Sequence, residues 1–71
     1  MGEKIEIKTA DGVFDAYLAK PAGGKGPGVV VIQEIFGVNR NVRAICDDLA
    51  ASGYVALAPD LFWPIEPGVD I

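Results

Sequence analysis

The sequence predicts an α/β fold with a parallel sheet, and three observations lead there. Val29-Val30-Val31-Ile32 is an unbroken β-branched run, apolar at every position. Such a strand cannot keep one face in water, so it belongs in the middle of a sheet covered on both sides. The run ends abruptly in Gln33-Glu34 and a turn at Gly37, which delivers polar groups to the carboxyl end of the strand, where sheets of this class bind ligands. A stretch of helical period follows, and then a second short apolar run, Tyr54-Val55-Ala56-Leu57-Ala58. Strand, helix and strand in this order predict a right-handed crossover and two parallel strands.

Lys4-Ile5-Glu6-Ile7-Lys8 alternates polar and apolar at period two, and Val13 to Ala19 follows after Thr9-Ala10-Asp11-Gly12. This predicts a hairpin near a sheet edge, with Asp11-Gly12 supplying residues that tolerate positive φ. Residues 20–27 are rich in Gly and Pro and read as a surface connection. Gly23, Gly24, Gly26 and Gly28 do not make a phosphate loop, because they precede a strand instead of following one and opening a helix. The third strand is expected over 28–33. Val42, Ile45, Cys46 and Leu49 fall on one face of a helix running from Asn39 or Asn41 to Ser52, with asparagine and Gly53 as its caps. The fourth strand is expected over 54–58, closed by Pro59-Asp60. Residues 61–71 show no period and read as a loop over the top of the sheet, cut off before the next element.

Length and composition narrow the function classes. A chain of 71 residues has room for one small domain, which buries only about 60% of its surface on folding. With 51% hydrophobic residues and a mean hydropathy of +0.32, it is more apolar than that size can hide. The excess is read as surface meant for a partner. A net charge of −4 and six basic residues scattered from Lys4 to Arg43 argue against nucleic acid and against anionic membrane surfaces. One cysteine excludes an internal disulfide and a structural zinc site, and the amino terminus carries no apolar signal region. The apolar runs are of strand length, far short of the ~20 residues a membrane span needs. The expectation is a cytoplasmic protein.

Two carboxylates and the cysteine deserve a chemical reading. Glu34, just after a buried strand, either turns outward to water or caps the helix, or it is a semi-buried base with a pKa raised by desolvation, oriented by Gln33. Both readings stay open from the residues alone. The main-chain amides of Ile35 and Phe36 are positioned, on a count of three strands, in the loop that supplies an oxyanion-hole N–H in hydrolases. Asp60 is expected to accept backbone N–H bonds in the turn beginning at Pro59. Cys46, mid-helix on the apolar face, is expected to be a small buried hydrophobe with no base or helix N-terminus to activate it. Phe62 and Trp63 either wall a pocket or cover the upper edge of the sheet.

The string Gln33-Glu34-Ile35-Phe36-Gly37-Val38-Asn39, followed by a helix, Gly53-Tyr54 and Ala58-Pro59-Asp60-Leu61-Phe62, resembles the opening of the dienelactone hydrolase (carboxymethylenebutenolidase) family. The hairpin and the Asp11-Gly12 turn fit as well, so the resemblance runs through essentially all 71 residues. It implies an α/β-hydrolase fold, of which residues 1–71 are an incomplete N-terminal fragment, a hairpin followed by a parallel β-α-β unit. It implies a hydrolase of esters or lactones whose nucleophile is a cysteine activated by histidine and aspartate. Glu34 then matches the glutamate that contacts the catalytic thiol, Ile35 gives an oxyanion-hole amide, Phe36 lines the pocket, and Trp63 is the further candidate for substrate contact. No cofactor and no metal are implied. The family's cysteine elbow, aspartate and histidine would all lie beyond Ile71, and the sequence holds no histidine, so the chain alone is expected to be inactive. Pro64 falls where the dienelactone type has a substrate-binding arginine, which implies a preference for less acidic esters or lactones.

Other function classes are weighed against this one. A nucleotide-binding half-domain is disfavoured because the strand-to-helix turn has one glycine and carries Glu34, whose charge repels phosphate. A non-catalytic interaction module, or one half of a split enzyme, fits the apolar excess. The partners expected are a small ester or lactone and the rest of the hydrolase domain or a complementary chain.

Overall fold

A computed structural model describes residues 2–33, 37–61, 65, 67, 68, 70 and 71. The alternating segments form β1 (Gly2–Thr9) and β2 (Gly12–Ala19), paired antiparallel from Gly2↔Ala19 to Thr9↔Gly12. The Thr9 hydroxyl closes the turn, accepting the Asp11 N–H at 3.2 Å and donating to the Gly12 carbonyl at 2.9 Å. Of the Asp11-Gly12 pair, only the glycine adopts positive φ.

The β-α-β unit is β3 (Gly28–Val30), α1 (Arg40–Ala51) and β4 (Val55–Pro59), with β3 and β4 parallel as expected. Two bonds extend their ladder: Val55 N–H to Pro27 O at 2.9 Å and Val31 N–H to Leu57 O at 2.8 Å. β4 also pairs antiparallel with β2, so the sheet order is β1-β2-β4-β3. The length expected for the apolar run is corrected. β3 is shorter than 28–33, and among the described residues it pairs on one side only, with β4, leaving Val30 and Ile32 59% and 63% exposed.

Helix α1 begins and ends as its residues dictate. Asn39 is the N-cap, its side-chain oxygen accepting the Val42 N–H at 3.1 Å. At the other end Tyr54 N–H bonds Leu49 O at 3.1 Å and Gly53 N–H bonds Ala50 O at 3.0 Å, the two bonds of a Schellman motif, with Gly53 at φ 98°. Gly26 is required for a different reason, since a Cβ there would run into the Gly53 carbonyl oxygen. The glycine-rich connection is therefore packed against the end of α1.

Alternation along the strands assigns the two faces. Tyr17, Ala19, Ala56, Ala58 and Val31 meet the inward row of α1, Val42, Cys46 and Ala50, and alanines at the contact let the helix sit close to the sheet. Ile45, expected on that row, is 42% exposed, because the inward meridian follows the i, i+4 row 42-46-50 with Leu49 beside it. The Tyr17 hydroxyl donates to Asp47 at 2.7 Å and ties β2 to the helix. Ile5, Ile7, Phe14, Leu18 and Leu57 alternate onto the opposite face, and the one described helix lies on the other side.

Candidate active site

Parallel pairing brings the carboxyl ends of β3 and β4 together, and the polar residues found there tie the two following loops to each other. Gln33 is buried, and its side-chain oxygen accepts the Leu61 N–H at 2.9 Å. Asp60 is 4% exposed and its carboxylate accepts the Gly68 N–H at 2.8 Å, while its own N–H bonds Asp15 O at 2.9 Å. Its structural role is thus the expected one, a carboxylate holding backbone N–H, although the amide it holds lies eight residues on.

Gly37 has φ 79° and forms a β-bridge with Asp70. Asn39 then does two things with one amide. Its oxygen caps α1, and its nitrogen donates to the main-chain oxygen of Ile71 at 2.9 Å. The opposite orientation of the amide would face oxygen to oxygen and N–H to N–H, so the two contacts fix it. Arg43, one turn into the helix, donates from one guanidinium nitrogen to Val38 O at 2.7 Å and to the Asp70 carboxylate at 2.9 Å. A cleft of about 120 Å³ opens beside this pair, and its lining includes Lys4, Asp15, Tyr17, Val38, Arg43 and Asp70.

Glu34, Ile35, Phe36 and Trp63, the residues singled out for chemistry, lie outside the described residues, as do Phe62 and Pro64. Their flanks, Gln33, Gly37 and Leu61, are within the network just described. Cys46 is fully buried, and burial first, with the charge of Asp47 second, pushes its thiol pKa above the usual value. A raised pKa suppresses the thiolate that nucleophilic attack needs, so Cys46 belongs to the core as expected. Among the described residues no cluster of three metal-ligating side chains occurs, and no helix is long and apolar enough to cross a membrane.

Sequence reasoning missed Arg43, Asp70 and the second contact of Asn39. The helix cap was legible locally, but nothing in a single sequence pairs position 43 with position 70.

A hairpin joined to a parallel β-α-β unit, with its polar groups gathered at the carboxyl strand ends, is the N-terminal portion of an α/β-hydrolase sheet, and a solved structure matches it closely. A crystal structure from Klebsiella pneumoniae assigned as a dienelactone hydrolase superposes with a TM-score of 0.85 at 36% identity, over 94% of this chain and 29% of that one. Residues 14–64 match the model of the dienelactone hydrolase family, and the chain belongs to that family. It is similar to a protein of Azospirillum brasilense, 64% identical over 62 residues, covering 86% of this chain and 27% of that protein. It is also similar to a carboxymethylenebutenolidase of Pseudomonas sp., 49% identical over 69 residues, covering 97% of this chain and 29% of that protein. The chain therefore spans between a quarter and a third of the length of these relatives.

Proposed function

We propose that this chain is the N-terminal portion of a lactone or ester hydrolase that works by acyl transfer to a cysteine supplied by the rest of the domain. The observation that carries this reading is the family match over residues 14–64, which includes the whole strand-end region from Gln33 to Asp60. In this reading Glu34 contacts the catalytic thiol and helps to draw off its proton. The main-chain N–H of Ile35 donates to the oxyanion that forms when the thiolate adds to the ester carbonyl. Phe36 and Trp63 line the substrate pocket. Donors fixed in place before reaction stabilise developing charge without reorganising, so a loop held at Gln33 and Gly37 suits the role given to Ile35.

Carboxymethylenebutenolidases give the substrate class its starting point, a lactone bearing carboxylates. Pro64 in the place of the family's arginine favours substrates of lower charge, since a bidentate carboxylate contact is then missing. The exposed side chains of Val30 and Ile32 and the edge position of β3 suit covering by the remaining elements of the hydrolase domain, and equally suit a complementary chain in a split enzyme. In either arrangement the 71 residues alone are inactive, holding neither histidine nor an accessible thiol.

The test compares the complete protein with the isolated chain on an activated aryl ester. The reading expects turnover by the complete protein that is abolished by a thiol alkylating agent, and none above the buffer rate from the chain. Hydrolysis by the isolated chain that survives Cys46→Ala, or alkylation-resistant hydrolysis by the complete protein, would overturn it.

A further inference from the structure

The loop after β3 and the loop after β4 are bound to each other at both ends, and the outer end is held by charge. At the inner end the tie is Gln33 to Leu61. At the outer end three contacts fall within a few residues: the Gly37–Asp70 bridge, the Asn39 amide on Ile71 O, and Arg43 on both Val38 O and Asp70. Asp60 to Gly68 closes the second loop on itself. Arg43 is the residue that spans the arrangement. It is anchored on α1, and one nitrogen holds the carbonyl of the first loop and the carboxylate of the second at 2.7 and 2.9 Å. A planar, permanently charged donor that meets two acceptors at once is what keeps two irregular segments in one register.

We infer that Arg43 and Asp70 form a clamp that makes the two strand-end loops move as one unit, and that both are positioning residues for the hydrolysis. The catalytic part of this inference rests on the hydrolase reading above, because the first loop carries Glu34, Ile35 and Phe36 and the second carries Trp63. Relative displacement of the two would shift an oxyanion donor against the pocket wall that orients the substrate. Misplacement of about 1 Å is enough to lower rates by up to ~10²-fold. Neither residue touches the reacting atoms in this account.

The experiment uses the complete protein and the variants Arg43→Ala, Asp70→Ala, their double and Arg43→Lys, with two readouts. Amide hydrogen exchange by mass spectrometry follows peptides across 33–39 and across 60–71, with peptides across β2 as the reference. Either alanine variant is expected to lower protection in both segments together, the double no further than Arg43→Ala, which also loses the Val38 bond, with β2 unchanged and Arg43→Lys recovering part of the loss. Ester hydrolysis is expected to fall about tenfold in kcat/KM for Arg43→Ala and by no more for Asp70→Ala, with no loss in the double beyond that of Arg43→Ala. Exchange that rises in one segment only, or additive effects in the double, would overturn the clamp. Coupled exchange in a protein that hydrolyses no ester would leave the clamp standing and sink the hydrolase reading. Hydrolysis that depends on Glu34 but not on Arg43 or Asp70 would sink the positioning role alone.

Discussion

The side-chain oxygen of Gln33 accepts the main-chain N–H of Leu61 at 2.9 Å, joining the carboxyl end of β3 to that of β4 across 28 residues of chain. Gln33 is buried, so the bond replaces water that cannot reach it. This one contact makes the two strand ends a common platform.

Gln33→Leu removes the acceptor and leaves the Leu61 N–H without its partner. The loss is expected to be about 1–2 kcal/mol of stability, the range for a partly buried bond broken on one side. Urea unfolding of the complete protein checks it through the midpoint at unchanged slope. A variant as stable as the parent would mean that the bond contributes nothing net.

Asn39 separates two functions that its amide combines. Asn39→Asp keeps an N-cap acceptor for Val42 but turns the donor to Ile71 into a second acceptor, so the helix end survives while the 71 end of the loop is released. Asn39→Ala loses both, and the cap alone is expected to cost about 0.5–2 kcal/mol. The Asp variant should therefore unfold close to the parent, and hydrogen exchange should rise at residues 70–71 in both.

Tyr17 gives a prediction in alkali. Burial first, then its bond to the Asp47 carboxylate, raises its pKa above the ordinary 10.0. The unfolded chain ionises near the ordinary value and the folded chain later, so the fold favours the protonated phenol. Its contribution is fully present below about pH 10 and is lost as pH rises through the folded value. Stability of the complete protein should fall across that window, and Tyr17→Phe should flatten the fall. Equal slopes in the two proteins would show that the phenol is not the group responsible.

Much of the fold was legible because local rules and tertiary packing agree. The 4–8 alternation, the Asp11-Gly12 turn, the Asn39 and Gly53 caps and the parallel β3/β4 pair are all local choices that the structure keeps. The length of β3 was not legible. An apolar run states how much surface must be covered but not where the ladder stops, and here the strand ends at Val30. Ile45 was misplaced for a similar reason, because period alone gives a stripe whose exact meridian is set by the packing of Val42, Cys46 and Ala50. At the candidate site the sequence pointed to the strand ends and to Gln33, yet it could not bring Arg43 to Asp70, a contact made by tertiary geometry between two solvated segments.

Substrate charge supplies a further prediction. Pro64→Arg in the complete protein should restore a charge-assisted contact worth roughly 1.5–3 kcal/mol, which corresponds to about 10–150-fold tighter binding of a dicarboxylate lactone. The comparison is KM for the dicarboxylate against KM for its monoester in parent and variant. A parent that already prefers the dicarboxylate would show that another group meets the second carboxylate.

The measurement that bears most directly on the hydrolase account is the kinetics of Glu34→Gln in the complete protein on an activated aryl ester. Gln keeps the size of the side chain and removes the base, so folding should be retained while kcat falls on the order of 10²–10⁴-fold, the usual contribution of a general base. An unchanged kcat in a normally folded variant would contradict the account and leave Glu34 as a carboxylate turned to water.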